Sequence, residues 1–455
     1  RATSTICKAL KARLLLYAAS PLWNGSFPVT NWKNTHYETP GYGDELVSHT
    51  YDPAKWERAL TACKEALAVA QDAGYQLFDI ATANSIAQRQ GVKLPFIPGR
   101  EADNEANNTF KERVRMFQYI VTAHEGDGNR EMIWGQRIDS DVNNGGEATE
   151  CRLPAVVIQR SNGIKAGGWS ALAPTLYTVQ HFYTEDGYIP EKDTKFYPQS
   201  EWYTRFYEGT ASPPLATGMD SEDIKNDIIK LHARREARFY AWIVYDGSQY
   251  SATINDGNPL WINFKNTNTN GWNVNNIRNC AGTGYLSKKF VDPNIFFGKD
   301  GTRRHSASRR PYIRMAELYL NLAECYAALN NTGEALKNLN IIRQRAGIKE
   351  LNENDLSVMS LTDWVRNERY VELFEEGHRY YDLRRWCIAP DRLKAGTRYG
   401  LNGMGANPDF ETFNTPTLID QPFRWDQRLY LLPIWSRSGM DELYSNPQLV
   451  QAPGY

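Results

Sequence analysis

The alternation of apolar and polar residues is most regular in residues 310–386, where it predicts four amphipathic helices in succession. In the first helix, apolar residues recur at helical spacing, and charged or amide side chains lie mostly on the other side. This apolar stripe consists of Tyr312, Met315, Tyr319, Leu322, Ala323 and Tyr326. Thr332 is a suitable N-cap for the second helix, and Gly347 is a suitable residue to end it. The short connection between the two helices predicts an antiparallel pair.

Small residues in this pair indicate that its two helices approach each other closely. Ala323, Gly333 and Ala335 follow the register of a tetratricopeptide unit, which leaves an apolar edge that needs a neighbouring helix pair. Two further helices can supply that neighbour, since Thr362 opens the third helix and Gly377 separates it from the fourth. The segment therefore predicts stacked, tetratricopeptide-like helix pairs.

Another helix pair is predicted near the start of the chain. An apolar stripe in residues 8–19 ends at Ser20-Pro21, because proline disfavours helical geometry in the residue before it. Asp52-Pro53 begins the partner helix, which continues to Gly74. Residues 22–51 are rich in Gly, Pro, Asn and aromatic side chains, which indicates an ordered loop inserted within this pair.

The pattern is weaker in the middle of the chain. It predicts helices at residues 108–118, 174–183 and 221–240, and a strand at 239–245. Residues 246–284 are rich in Asn and Gly and carry several aromatic side chains, and we interpret them as a surface platform.

Composition and charge narrow the classes of protein that the chain can represent. The chain has 455 residues, of which 41% are hydrophobic and 23% charged, so it can bury a large core. A formal net charge of −1 provides no basic surface for nucleic acid, and no run approaches the roughly 20 apolar residues that span a bilayer. We therefore expect neither a nucleic-acid partner nor a membrane-spanning helix.

Several stretches resemble one family. Residues 309–347 (RRPYIRMAELYLNLAECYAALNNTGEALKNLNIIRQRAG), residues 364–386 (WVRNERYVELFEEGHRYYDLRRW) and the closing residues 430–455 resemble the SusD/RagB family of outer-membrane nutrient-capture lipoproteins. The chain departs from the family at Trp435, where a second proline is more common. The resemblance implies a mainly α fold, in which tetratricopeptide-like helix pairs form an α-α superhelical scaffold with long irregular loop-rich insertions and a few short strands.

The resemblance also implies a function and a location. It implies a non-catalytic protein on the outer membrane that captures an oligosaccharide and passes it to a SusC-like TonB-dependent transporter, with no cofactor required. The chain begins at Arg1 in what looks like the middle of a domain. We therefore expect an absent N-terminal part, and the resemblance implies that this part carries the lipid anchor, which would be the only membrane contact.

Three other functions stay open at this stage: capture of peptides as in RagB-like members, glycoside hydrolysis, and a generic helical-repeat adaptor. Within a single SusD-like unit we expect four segments. These are a helix pair with a long inserted loop (1–75), a loop-rich ligand side with scattered helices (76–300), tetratricopeptide-like helix pairs (301–390) and a C-terminal wrapping segment (391–455).

Aromatic residues make up 12% of the chain and indicate where a sugar could bind. A ring with a polar tip suits a ligand that is half apolar, as a sugar is. Tryptophans on helical stripes are expected in the core, whereas those in loops are candidates, together with neighbouring polar residues. The predicted ligand-binding residues are Trp169, Trp202, Tyr203, Trp261, Trp272 and Asn273. The alternative is that these rings pack the loops onto the scaffold.

One acidic segment resembles a calcium-binding loop. Asp139, Asp141, Asn143 and Glu150 occupy positions one, three, five and twelve of an EF-hand pattern. No convincing helix precedes the segment, so a solvated acidic loop is the alternative to bound Ca²⁺.

Other polar residues have structural interpretations. The acidic residues at 368, 372, 375, 376 and 382 alternate with arginines at 366, 369, 379, 384 and 385, which indicates ion pairs rather than a glycosidase's two carboxylates. The six cysteines show no zinc-ligand spacing. We expect free thiols, with a Cys151–Cys280 bridge as the alternative.

Overall fold

The computed structural model describes residues 3–35, 40–137, 147–209, 221–273, 279–304, 309–419, 425–434 and 449–455. Its helices are α1 (Ser4–Ala19), α2 (Pro53–Asp72), α3 (Ile80–Gln90), α4 (Glu105–Tyr119), α5 (Glu147–Glu150), α6 (Leu176–His181), α7 (Ala237–Trp242), α8 (Met315–Ala328), α9 (Thr332–Ala346), α10 (Leu361–Glu372), α11 (His378–Arg385), α12 (Ala389–Arg392) and α13 (Phe410–Phe413). Among the described residues, none of these helices combines the length and apolar character that a bilayer crossing requires.

The strands are short. They are β1 (Met132–Arg137), β2 (Ile158–Gln159), β3 (Lys165–Ala166), β4 (Ile243–Tyr245), β5 (Gln249–Asn255), β6 (Asn258–Trp261), β7 (Tyr285–Ser287), β8 (Phe296–Phe297), β9 (Arg303–Arg304), β10 (Arg309–Arg314), β11 (Tyr399–Gly400) and β12 (Thr417–Leu418). They form a four-stranded sheet in the order β6-β5-β8-β9, with β8 parallel to β5, and four antiparallel two-stranded ribbons, β1-β10, β2-β3, β4-β7 and β11-β12.

Helix pairs form the scaffold, as predicted. α1 packs against α2, α8 packs against α9, and α8 joins the pairs by contacting both α2 and α10. The core between the first two pairs contains many buried alanines, which allow the helices to approach closely. The prediction of a mainly α, tetratricopeptide-like scaffold with irregular insertions and few strands is confirmed.

Local signals place most helix ends correctly. Ser20 follows α1 in extended geometry before Pro21, and Asp52 caps α2 by accepting a hydrogen bond from the Ala54 amide. Gly347 ends α9 with a positive φ of 72°. Two predicted caps are off by one or two residues: Asn331 rather than Thr332 caps α9, and the helix predicted to open at Thr362 is capped by Ser360.

The middle of the chain differs from its prediction. Residues 221–240 form 3-10 turns at Glu222–Asp227 and Lys230–His232, followed by α7, instead of one long helix. Residues 246–284 are not a surface platform, because Tyr250 and Phe264 belong to the larger core and Trp261 is buried as well. The helix α3 was not predicted. The middle of the chain therefore forms a second core, the larger of the two, which packs against the helix pairs.

A network of buried ion pairs joins the scaffold to this second core. Arg238 of α7 donates to Glu368 at 2.6 Å and to Glu372 at 2.9 Å, and both carboxylates lie on α10. Arg314 of β10 donates to Glu372 at 2.8 Å. Arg343 of α9 donates to Glu368 at 3.1 Å. The ion-pair interpretation of the acidic residues is confirmed, but many of their partners are distant in sequence.

Four of the five arginines among those acidic residues divide into two groups, and the fifth, Arg384, donates to the Leu429 carbonyl at 2.7 Å. Arg369 and Arg385 both bond to Asp382, at 2.9 and 2.8 Å, and are buried. Arg366 and Arg379 instead line a surface cleft. All six cysteines are thiols, so the free-thiol interpretation is confirmed and the Cys151–Cys280 bridge is not formed.

Candidate functional site

An open cleft of about 560 Å³ lies beside α10. Its walls come from α6, α10, α11 and α12, together with 3-10 turns at Pro190–Lys192 and Gln199–Glu201. Aromatic, amide and charged side chains all reach it, including Tyr177, Gln180, Trp202, Asn367, Tyr370 and Arg379. Its volume lies within the range that is usual for a small-molecule or oligosaccharide site.

Two aromatic side chains of α6 form one wall. Tyr177 and His181 are four residues apart, so they lie on one face of the helix, and their rings stack with centroids 3.8 Å apart. Nδ1 of His181 donates to the Tyr177 carbonyl at 2.7 Å. Burial lowers the pKa of His181 to about 4, to which nearby Arg379 and Arg392 contribute. His181 is therefore neutral at pH 7.

α10 contributes the adjoining wall. The hydroxyl of Tyr370 hydrogen-bonds that of Thr178 at 2.7 Å, and Nδ2 of Asn367 donates to the His181 carbonyl at 3.0 Å. These bonds connect α10 directly to α6. Because Glu368 and Glu372 fix the inner face of α10, the cleft wall rests on a rigid helix.

Two arginines pack against these rings. The guanidinium of Arg379 lies 4.0 Å from the ring centroid of Tyr370, and its Nη2 donates to the Tyr177 hydroxyl at 3.3 Å. The guanidinium of Arg392 lies 5.5 Å from the Tyr177 ring centroid. Each contact is in the range of a cation–π interaction, which holds the charge beside the cleft.

Of the predicted ligand-binding residues, Trp202 lines the cleft. It is 2% exposed, and its Nε1 donates to the Tyr197 carbonyl at 2.8 Å, so it presents only an edge. Burial raises the pKa of the adjacent Tyr203 to about 12, an effect that its hydrogen bond to Gln180 partly opposes. Trp202 therefore lines the cleft, whereas Tyr203 contacts it only through Gln180.

Trp261 has a different position from the one expected of a loop residue. It ends β6, is 4% exposed, and meets Phe96 edge-on at a centroid distance of 5.0 Å. A ligand could reach neither face of its ring in this conformation. The alternative, that such rings pack loops onto the scaffold, describes Trp261.

The remaining predicted residues lie in two loops that touch each other. Trp169 is 41% exposed, and Trp272 and Asn273 are half-buried. Oδ1 of Asn270 accepts from the Val156 amide at 3.0 Å, and Lys165 donates to the Asn268 carbonyl, so the two loops are joined. None of these three residues lines the cleft, and their role in ligand binding stays a prediction.

The calcium prediction falls mostly outside the described residues. Asp139, Asp141 and Asn143 lie in the stretch 138–146, and only Glu150 is described. Glu150 is buried and pairs with Arg303. No group of three or more metal-binding side chains occurs within the described ranges. Calcium binding stays a prediction.

Sequence reasoning missed Tyr177, Tyr370, Arg379 and Arg392. Aromatic residues on helices were expected in the core, and Arg379 was assigned to the ion pairs of its own helix. One available signal was the four-residue spacing of Tyr177 and His181, which places two rings on one helix face.

The fold and the cleft define a helical-repeat protein with a surface cleft between its helical scaffold and its insertions. Residues 130–455 match the SusD family, and the chain belongs to that family, which confirms the resemblance seen in the sequence. Members of the family are generally binding proteins rather than enzymes.

Individual proteins show how far the similarity extends. A solved structure described as selenomethionine BT4246 is 46% identical, with a TM-score of 0.90, over 100% of this chain and 74% of that one. A SusD-like protein (BF3747) from Bacteroides fragilis is 22% identical, with a TM-score of 0.63, over 100% of this chain and 66% of its own. This second likeness shows the fold alone.

A curated relative matches a shorter stretch. SusD-like protein P25 of Formosa agariphila is 35% identical over 91 residues, which is 20% of this chain and 17% of that protein. The match therefore spans under a fifth of the relative's length.

Proposed function

We propose that this protein captures an oligosaccharide at the cell surface and delivers it to a SusC-like TonB-dependent transporter without catalysing a reaction. By the same family inference, a lipid group would anchor it in the outer membrane. The observation that carries the proposal is the cleft of about 560 Å³ in which rings and amides alternate on a rigid helical frame.

The chemistry of the cleft suits a sugar. A pyranose ring presents C–H faces to aromatic rings and hydroxyl groups to amides, and Tyr177, Tyr370, Gln180 and Gln199 supply both kinds of partner. The cleft is open to solvent, so a bound oligosaccharide can leave again. Reversible binding of this kind is what delivery to a transporter requires.

The carboxylates of the cleft favour binding over hydrolysis. Glu191 and Asp363 both line it and both are exposed. Glu191 pairs with Lys192 at 3.6 Å, and Asp363 accepts from the Ser360 hydroxyl at 2.7 Å. A glycosidase acid is usually buried so that it keeps its proton near pH 7. Neither residue has such an environment.

Isothermal titration with a glycan panel and with a peptide digest tests the proposal. We expect at least one oligosaccharide to bind, and Tyr177→Ala to weaken that binding by about 5–10-fold, because it removes a ring from the wall. Tyr42→Ala is the control, since Tyr42 is 56% exposed and does not line the cleft. Circular dichroism should show both variants folded.

Two results would contradict the proposal. Binding of peptides without any glycan would indicate the RagB-like cargo. New reducing ends that form at a constant rate after exhaustive purification would indicate a hydrolase.

A further inference from the structure

The cleft has an excess of positive charge. Four cationic side chains line it, Lys192, Arg366, Arg379 and Arg392, against the two carboxylates Glu191 and Asp363. Four positive and two negative groups leave a net charge of +2. Lys192 and Glu191 pair with each other at 3.6 Å, so the excess resides in the arginines.

None of these three arginines forms an ion pair with any residue that the structure describes. Arg369 and Arg385, on the same two helices as Arg366 and Arg379, both bond to Asp382. Of the carboxylates of α10, Asp363 lines the cleft without an ion pair to these arginines in the described structure. Glu368 and Glu372 face inward, where both bond to Arg238. The positive charge of the cleft is therefore left for a ligand.

Arg366 is the clearest case of a cleft arginine that has no ion pair with a described residue. It is half-buried, and its Nε is buried without a hydrogen-bond partner among the described residues. Its guanidinium lies 5.1 Å from the ring centroid of Trp386, which fixes its plane. Burial lowers the pKa of Arg366, although a guanidinium stays charged at neutral pH. Glu324 and Asp363 offset part of this charge through space, but neither forms an ion pair with Arg366 in the described structure, so a bound anion would stabilise the guanidinium further.

Arg379 and Arg392 are held in place by the rings already described. Their contacts with Tyr370 and Tyr177 restrict their motion, so less conformational entropy is lost when they bind a ligand. Neutral His181 adds no charge of its own between them. Three restrained guanidinium groups thus face one cleft that also has sugar-binding walls.

We propose that the cleft selects anionic oligosaccharides, in which a uronate carboxylate or a sulfate ester bonds to Arg366, Arg379 and Arg392. This inference rests on the proposed function and names its substrate class. A guanidinium presents parallel N–H donors that match the oxygens of either anion, whereas a neutral sugar offers only hydroxyl groups.

Titration with matched pairs of oligosaccharides tests this inference. Galacturonan oligosaccharides are compared with their carboxyl-reduced forms, and carrageenan oligosaccharides with their desulfated forms. We expect at least one anionic member to bind about 10-fold tighter than its neutralised form. We also expect this affinity to fall as sodium chloride is raised. The carboxylate and sulfate arms distinguish the two sources of charge.

Substitutions of the cleft arginines test whether the preference for anionic oligosaccharides arises in the cleft. Arg379→Gln and Arg392→Gln are each expected to weaken binding of the anionic member by about 10-fold and to weaken binding of its neutralised form by a smaller factor, so that the preference for the anion falls. Arg58→Gln is the matched control, because Arg58 is exposed on α2 and pairs with Asp52. It should leave both affinities unchanged.

The outcomes separate this inference from the function on which it rests. If neutral oligosaccharides bind as tightly as their anionic forms, or if Arg379→Gln and Arg392→Gln leave the preference intact, the charge selectivity is wrong and glycan capture stands. If no glycan binds while peptides do, the proposed function fails and the selectivity fails with it.

Discussion

Glu372→Ala is expected to lower the free energy of unfolding by about 3–5 kcal/mol, the largest loss we expect from one substitution outside the apolar cores. Glu372 is fully buried and bonds to Arg238 at 2.9 Å, to Arg314 at 2.8 Å and to Arg345. Removing the carboxylate leaves three buried guanidinium groups with fewer partners. Denaturation in urea, followed by tryptophan fluorescence, measures the change.

The contribution of Glu372 to the free energy of unfolding changes with pH in a definite direction. Burial alone would raise the pKa of Glu372, but Arg345, Arg314 and Arg238 outweigh it and hold the pKa below its usual range. The unfolded chain therefore takes up a proton first as pH falls below about 4.5. The stability that Glu372 contributes is present at neutral pH and is lost on acidification. The difference in unfolding free energy between wild type and Glu372→Ala should therefore narrow as the pH falls.

Glu334→Ala is the control for this prediction. Glu334 lies on the exposed face of α9 and pairs with Lys337 at 3.2 Å, so its loss should change the unfolding free energy by less than about 0.5 kcal/mol. Equal midpoints for Glu372→Ala and Glu334→Ala would show that the buried network contributes nothing measurable.

Lys288→Met has the opposite expected sign and should raise the free energy of unfolding at pH 7 by about 1–3 kcal/mol. Lys288 is buried, and its ammonium group donates one long hydrogen bond of 3.3 Å, to the Tyr250 carbonyl. Burial lowers the pKa of Lys288 to about 8. Methionine fills a similar volume without a buried charge, so the cost of desolvating the ammonium group disappears.

This gain should depend on pH in the alkaline range. The unfolded lysine keeps its proton up to about pH 10.5, whereas the folded one loses it near pH 8. The destabilisation by Lys288 is therefore complete below pH 8 and is relieved as pH rises toward 10.5. The advantage of Lys288→Met should be largest at pH 7 and nearly absent at pH 10.5.

Lys299→Met serves as the control, because Lys299 is exposed. It should leave stability unchanged at every pH. A lower midpoint for Lys288→Met than for wild type at pH 7 would mean that the bond to the Tyr250 carbonyl outweighs the desolvation cost.

The sequence predicted best what depends on neighbours along the chain. Gly347 and Pro53 mark helix ends because their own backbone preferences decide the geometry there, and both were placed correctly. The partner of Glu368 was not predictable, since Arg238 lies 130 residues away. Local charge alternation indicated ion pairs correctly, but it could not identify which arginines reach the core.

The candidate site shows the same limit. Trp202 was selected because it lies in a loop, and it does reach the cleft with one edge. Trp261 was selected on the same ground and is buried, since whether a loop is covered depends on distant parts of the chain. Tyr370 could not be identified from the sequence as a cleft residue, because α10 has two faces and only its inner face belongs to the core.

That two-sided helix has a consequence for how the family can diversify. In α10, residues 368 and 372 bond inward, while residues 366, 367 and 370 line the cleft. A substitution at position 366 could therefore change the charge of the proposed ligand site while the buried ion pairs of Glu368 and Glu372 remain. Positions 367 and 370 are more constrained, because they also bond to α6.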